Sequence, residues 1–428
     1  MFAAFAPAQD PGAQPAPAAP AAANTVSSLF SGRAARREQH KNANAVAAVR
    51  SGVAWLLAHQ DNKGRWDPEK YWQHDPKDDP CTGTGNNQYQ VGITALALLA
   101  VLAQGDALHA EAAHKAADWL VDRVGDGGRV VDDGHDFLYS HALLTLALVE
   151  MSALYGNASH RDAAESALEY LLRHRNPAGA WRYGTRDGDN DTSLSSWCLA
   201  ACVEAVHAGF TVPAEAAGIA LGWLDSVTDL ATGHTGYSLR GEASARSSTD
   251  HTARFPVEHG QALSAAALHG RLLTGLAGDS PLALAAAELL AATPPKWGAK
   301  TTDTYYWFHA SAAMSLLPDS AAKAKWEAAL HKALLPSQGK AKSRQGSWDP
   351  NDAWGHCGGR VQTTAFAVLA LSSPWRLERL DPAALVRDQA PLRKLFALVS
   401  SGKLGEASSE AARVDPAAVP AAAAAGFA

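Results

Sequence analysis

The chain has 428 residues, 47% of them hydrophobic and 19% charged, enough to bury a large core. Its net charge of −6, with basic residues scattered, excludes a nucleic-acid surface as the main function. Alanine dominates and β-branched runs are scarce, which favours helix over sheet, and no apolar run is read as long enough to span a bilayer.

In chain order, residues 1–24 are almost all Ala, Pro, Gln and Gly, a composition that cannot bury a core. The opening MFAAFAPAQDPG looks like the last residues of a secretory signal, with small residues at Ala3, Ala4 and Ala6, although it lacks a positive start and a full apolar stretch. Residues 1–41 are therefore expected to be a disordered or signal-remnant tail and lead-in. Export to the periplasm or cell envelope is the expectation, with a cytoplasmic location as the alternative. Residues 42–375 repeat one pattern. An amphipathic Ala-rich helix ends in a polar Gly turn, and a more apolar helix follows. The first unit reads VAWLLAHQDNKGRW then VGITALALLAVLAQG, and the third ALEYLLRHRNPAGAWRYG then DTSLSSWCLAACVEAVHAG. Six such units are counted, with turn glycines at Gly64, Gly127, Gly179, Gly236 and Gly346 and Trp297 marking the fifth. Most of these turns lie roughly 50–65 residues apart, longer than the common solenoid repeats. A helix apolar on all sides is buried on all sides, so the second helix of each pair belongs to an inner layer. Inner helices are expected to begin near Val91, Tyr139, Thr192, Glu258, Asp303 and Val361. Residues 376–412 are expected to form a C-terminal helical extension, and 413–428 a disordered Ala/Pro tail.

The stretch QDNKGRW, Gln60 to Trp66, resembles the QxxxGxW turn of the prenyltransferase and squalene-oxidase repeat family. RNPAGAW (Arg175 to Trp181) matches apart from Gln, and GSWDP (Gly346 to Pro350) matches its Gly and Trp. The resemblance covers about 330 residues and implies an all-α fold: a single α/α toroid of six helical hairpins closed into a double-layered barrel. It is the fold of terpenoid cyclases and protein prenyltransferase β subunits. The motif is a structural turn, so Trp66, Trp181 and Trp348 are read as scaffold.

The resemblance also implies where chemistry would sit: at the rim where polar residues precede each inner helix. Squalene–hopene-type cyclases carry DxDDT, whose middle Asp protonates an alkene. Aligned on Thr192, this chain has Asp191 at the final Asp but Asn190 at the acid and Gly188 at the first position, so Asp191 or Thr192 is read as a helix cap. Protein prenyltransferases bind zinc through Asp, Cys and His. Asp303, His309, His356 and Cys357 lack the Asp-x-Cys pair, and no metal set or other cofactor is assigned. Cys198 and Cys202 are read as small buried hydrophobes. No Gly-rich phosphate loop appears, and Ser140, Ser195 and Ser264 lack a nucleophile-elbow context.

The rim candidates are Asp303, His309, Tyr139 and His141 as catalytic residues, with Arg360, Tyr305, Tyr306, Trp307 and His259 holding the ligand. Polar groups around an apolar cavity are the usual anatomy of a small-molecule site, and aromatic faces can stabilise a carbocation. The leading expectation is a terpenoid-cyclase/prenyltransferase-like protein that binds an apolar, isoprenoid-like ligand. If catalytic, it would be a terpene-cyclase-like isomerase or transferase. The alternatives are a non-catalytic cell-envelope scaffold and a polysaccharide-acting enzyme in which His, Tyr and Arg move a proton. A deep aromatic cavity favours the first, a plugged barrel the second, an open polar groove the third. In a closed toroid the first and last hairpins are neighbours. Cys81 and Cys357, each in the loop ahead of an inner helix, are therefore expected to form a disulfide, worth about 5 kcal/mol at most.

Overall fold

In the computed structural model, residues 30–377 are described, apart from 106, 132, 133, 178, 245, 247 and 341. The N-terminal stretch with signal-like residues, the C-terminal extension and the Ala/Pro tail lie outside them. Among the described residues the regular structure is helical. A short α1 (Arg33–Glu38) precedes the first outer helix, α2 (Ala43–Ala58), and the first inner one, α3 (Gln90–Leu102). The outer α4 (Ala110–Val121) pairs with the inner α5 (Phe137–Tyr155), and α6 (Ala158–His174) with α7 (Thr192–His207). Outer α8 (Ala214–Val227) is followed by a short α9 (Thr249–Arg254) and inner α10 (Ala262–Leu273). Then come α11 (Pro281–Ala292) with α12 (Thr304–Leu316), and α13 (Ala321–Leu334) with α14 (Gly355–Arg376).

The inner helices close a ring. Helix α3 packs on α5, α5 on α7, α7 on α10, α10 on α12, α12 on α14, and α14 returns to α3. The outer helices lie against this ring, with α2 wedged between α14 and α3 at the seam. The six expected inner helices are all present, in the expected order. Contrary to the expectation that no run is long enough, helix α5 is by length and composition apolar enough to cross a membrane. Yet 83% of its apolar window is buried inside the ring, where an inner-layer helix must be apolar all round.

The turns explain why the ring closes. The Trp66 indole donates to Leu56 O, Trp181 to Leu171 O and Trp348 to Leu334 O, so each Trp satisfies a carbonyl at the end of its own outer helix. The Gln60 amide donates to Gly64 O and across to Ala112 O on the next outer helix. Gln338 repeats this on Gly346 O and on Ala48 O of the first outer helix, so the sixth unit treats the first as its successor. Gly64 sits at φ 94°, where a Cβ would fall 2.1 Å from Lys115 O, so no larger residue fits between neighbouring hairpins. In the second and fourth units the close-packed turn glycines are Gly128, against Ser166 O, and Gly233, against Ala286. The expected Gly127 and Gly236 do not hold that place. The backbone two residues after each turn glycine then bonds an inner-helix side chain. Trp66 N donates to Thr94 Oγ1, Trp181 N to Ser195 Oγ, Thr235 N to Ser264 Oγ, and Trp348 N to Thr364 Oγ1.

Candidate functional site

All six inner helices begin at the same end of the barrel, and a cavity of about 360 Å³ opens there. Every inner helix contributes its first turns to the wall. Ile93 and Leu96 come from α3, Tyr139 and Leu143 from α5, Trp197 from α7, Leu263 from α10, Tyr305 from α12 and Phe366 from α14. Trp197 stacks on Phe308 at 5.3 Å between ring centroids, and Phe308 meets Phe366 at 5.7 Å, giving an aromatic base. Asp136 and Arg246 from loops and His356 and Cys357 from the first turn of α14 make the rim polar, and Tyr183 and Tyr237 also line the cavity.

Asp191 lies behind this wall. It caps α7 through a 2.7 Å bond from Leu194 N to Oδ1. Oδ2 has no hydrogen-bond partner among the described residues, and the Tyr237 side chain is among the groups that act on the carboxyl. Burial pushes the Asp191 pKa up to about 6, against the pull of the Leu194 amide, Arg182 and Tyr237. The same carboxyl acts on Tyr139, Tyr183, Tyr237 and Tyr305, all four of which line the cavity. Tyr183 and Tyr237 also act on one another, and both line the cavity.

Of the expected site residues, two are where they were placed. Tyr139 and Tyr305 face the cavity, and the Tyr305 hydroxyl lies 2.8 Å from Ser193 Oγ. The others do other work. His141 points outward between α5 and α6. Its Nε2 donates to Ala167 O and its Nδ1 accepts from Val130 N, the role that Thr94, Ser195, Ser264 and Thr364 play in other units. Asp303 caps α12 by accepting from Tyr306 N at 3.0 Å and pairs with Arg246 at 3.7 Å. His309 is buried beneath the base, its Nδ1 3.4 Å from that of His269, and burial holds both rings neutral. Arg360 is a buried clamp on Thr82 O, Ser347 Oγ and the Asp349 carboxylate. The Tyr306 hydroxyl faces Thr293 on the outer layer, Trp307 is buried against Trp297, and His259 is exposed outside the cavity. The causes differ: helical phase turns His141, Tyr306 and Trp307 away from the barrel axis, His309 lies one turn deeper than Tyr305, and Asp303 and His259 precede their inner helices.

The first and last loops do meet, with Asn86 N donating to Cys357 O and Arg360 N to Gly83 O. The disulfide is nonetheless not formed. Cys81 donates its thiol to Ser343 O at 3.1 Å, while Cys357 lines the cavity beside His356. Nor do Asp303, His309, His356 and Cys357 converge as a metal set. Cys198 and Cys202 are fully buried core residues, as expected.

No protein-family profile matches the sequence, and no curated protein does. Solved structures do. An inactive variant of an alpha-1,6-mannanase, GH76A of Salegentibacter sp. HEL1_6, in complex with alpha-1,6-mannotetrose aligns over 78% of this chain and 99% of its own at 12% identity, TM-score 0.52. The type II terpene cyclase MstE from Scytonema, in complex with geranylgeranyl dihydroxybenzoate, aligns over 78% of this chain and 98% of its own at 17% identity, TM-score 0.50. UGL in complex with dGlcA-Glc-Rha-Glc aligns over 76% and 95% at 12% identity, TM-score 0.50. The fold is the α/α toroid. It is common to terpene cyclases and carbohydrate-active proteins, so the likeness carries the architecture and leaves the activity to the site.

Proposed function

We propose that the barrel mouth binds an apolar, isoprenoid-like molecule and that Asp191 is the acid that would act on it. The observation that supports this reading most is the wall itself. Trp197, Tyr305, Phe308 and Phe366 enclose or floor the cavity, while its one lining carboxylate among the described residues is Asp136 at the rim. A polysaccharide hydrolase needs two carboxyl groups flanking the scissile bond. A proton-initiated isomerase needs one neutral acid and a set of π-faces for the cation. A ligand that displaces water from the mouth deepens the desolvation of Asp191 and favours its protonated form. The acid O–H then donates to Tyr237, whose own proton moves to an alkene carbon as Asp191 restores it. The resulting carbocation lies against Trp197, Tyr305 and Phe366 and ends by losing a proton to Tyr237, which passes its own to the Asp191 carboxylate.

Tryptophan fluorescence tests the binding step, since Trp197 and Trp354 both line the cavity. Saturable quenching by a geranylgeranyl-type polyene, abolished in Leu143→Trp, is the expected result. Quenching by a neutral or uronic oligosaccharide with none by the polyene would favour the polysaccharide alternative. Product analysis by mass spectrometry tests the acid: Asp191→Asn and Tyr237→Phe should bind the polyene and leave it unchanged.

A further inference from the structure

A second cluster lies on the outside of the first hairpin, away from the barrel mouth. His59 closes α2, Asp75 ends the following turn and Cys81 sits in the loop beyond it. One nitrogen, one oxygen and one sulfur from these three residues all lie within 4.8 Å of one another. The His59 and Asp75 side chains are 4% and 3% exposed, and Cys81 is buried.

The histidine is already oriented. His59 Nδ1 lies 2.7 Å from Trp55 O, one turn back on α2, and a carbonyl can only accept. Nδ1 therefore carries a proton, and Nε2 points at Asp75 Oδ1 at 2.9 Å, a hydrogen bond whose shared proton a metal ion would replace. Metal-ligating histidines characteristically donate their second nitrogen to a backbone carbonyl in this way. The other Asp75 oxygen accepts from Cys81 N at 2.7 Å, which fixes the carboxylate and draws the cysteine to the same spot. Trp55 stacks on the His59 ring at 4.0 Å and holds its plane.

We propose that His59, Asp75 and Cys81 form a zinc site, with Nε2, Oδ1 and Sγ as ligands. A mixed N, O and S set suits zinc better than a hard cation. Two ligands about 2.0–2.1 Å from a tetrahedral ion stand roughly 3.3 Å apart, so the Nε2–Oδ1 gap opens by a few tenths of an ångström. As the metal bonds form, the Cys81 thiol and the His59–Asp75 hydrogen bond each give a proton to solvent, and Cys81 releases Ser343 O. A pocket of about 630 Å³ leads to the cluster; His59 and Asp75 line it with His74, Asp78, Asp79 and Lys342, so the carboxylates on the approach outnumber its one lining lysine. Three protein ligands leave a fourth position for water. The site would tie the α2 end to the following loop, which stays joined to the segment at Ser343 through Asp79, at the seam where the ring closes.

The test uses the full chain without an affinity tag, stripped with a chelator and titrated with zinc against a chromophoric competitor. One equivalent is expected to bind. Cys81→Ser and His59→Gln should each weaken binding by more than the roughly 10–100-fold that loss of an outer-shell partner costs. Unchanged affinity in both variants would overturn the assignment. Because either variant could unfold, wild-type protein loaded with one equivalent is also measured by X-ray absorption at the zinc edge. One sulfur near 2.3 Å with nitrogen or oxygen near 2.0–2.1 Å is expected. A first shell without sulfur, or failure to retain zinc against the competitor, makes the cluster a buried His–Asp ion pair and ends the proposal.

Discussion

At the end of the barrel where the inner helices begin, a carboxyl, Asp191, sits among neutral hydroxyls and aromatic rings. At the end where they finish, another, Glu150, sits between two arginines. Arg33 of α1 donates to Glu150 at 2.6 Å, and Arg376 at the end of α14 pairs with its other oxygen. Arg33 also bonds Arg376 O and Leu102 O, so one side chain from outside the six hairpins ties α3, α5 and α14 together. Burial works to raise the Glu150 pKa, yet Arg33 and Arg376 hold it below the ordinary carboxylate range. Its neighbour Glu204 on α7 is pushed well above that range by burial. One end is thus locked by paired charge, and the other keeps a lone acid poised. The difference teaches that burial alone does not decide protonation here; close pairing with buried cations does, two of them for Glu150, while Glu204 has Arg376 only at 3.7 Å and the Glu150 charge beside it.

The largest expected effect comes from breaking the lock. Glu150→Leu strips Arg33 of its carboxylate and leaves Arg376 only the more distant Glu204, 3.7 Å away, and removing one member of a buried pair costs about 3–5 kcal/mol. Denaturant unfolding at neutral pH should show this loss, whereas Tyr237→Phe at the mouth should stay within about 1 kcal/mol of wild type. Equal effects at both ends would erase the contrast.

Next in size is the pH dependence at the mouth. Asp191 has its pKa raised from 3.8 to about 6 by burial, so between those values the folded chain holds a proton that the unfolded chain has lost. Its contribution to stability is therefore full below pH 3.8 and falls as pH rises through 6. Holding that proton more tightly in the folded chain is worth about 3 kcal/mol across the window. Asp191→Asn keeps the cap, since Asn caps helices as well as Asp, and removes the titration. Relative to wild type, the variant should become more stable as pH climbs from 4 to 7. A stability difference that does not change with pH would mean that Asp191 is an ordinary exposed-type carboxylate.

The ring is legible in the sequence because its signals are local. Gln60, Gly64 and Trp66 lie within seven residues, and alternation of amphipathic and apolar helices needs only windows of a few turns. The cavity is legible only as a place. Tyr139 and Tyr305 can be picked out because they open their helices, but Tyr237 comes from a long loop and Phe366 from the second turn of a helix after an internal Gly359 kink. Asp191 reads as a cap, which it is; that the same carboxyl also stands behind four tyrosines follows from three other units packing on α7. Arg33 falls in a segment that reads as lead-in, because a six-residue helix carries no periodic signal. His59, Asp75 and Cys81 are spaced like no metal motif, and only the turn between them brings them together.

His141 offers the smallest effect and separates scaffold from site most cleanly. It stands where other units have Thr or Ser, so His141→Thr should keep the acceptor for Val130 N, as Thr94 does for Trp66 N. It loses the donor to Ala167 O and some packing, a cost of about 1–2 kcal/mol at neutral pH. Polyene binding at the mouth should not change, because the ring lies between α5 and α6 rather than in the cavity. In acid the comparison turns over. Burial lowers the His141 pKa from 6.5 to about 4, so the unfolded chain takes up a proton first as pH falls, and the wild type loses stability from 6.5 downward. The threonine variant has no such group at this position, so its deficit should shrink and then reverse as pH approaches 4. If instead the variant lost polyene binding at neutral pH while remaining folded, His141 would belong to the mouth after all, and the division between a locked scaffold and an open aromatic site would have to be redrawn through α5.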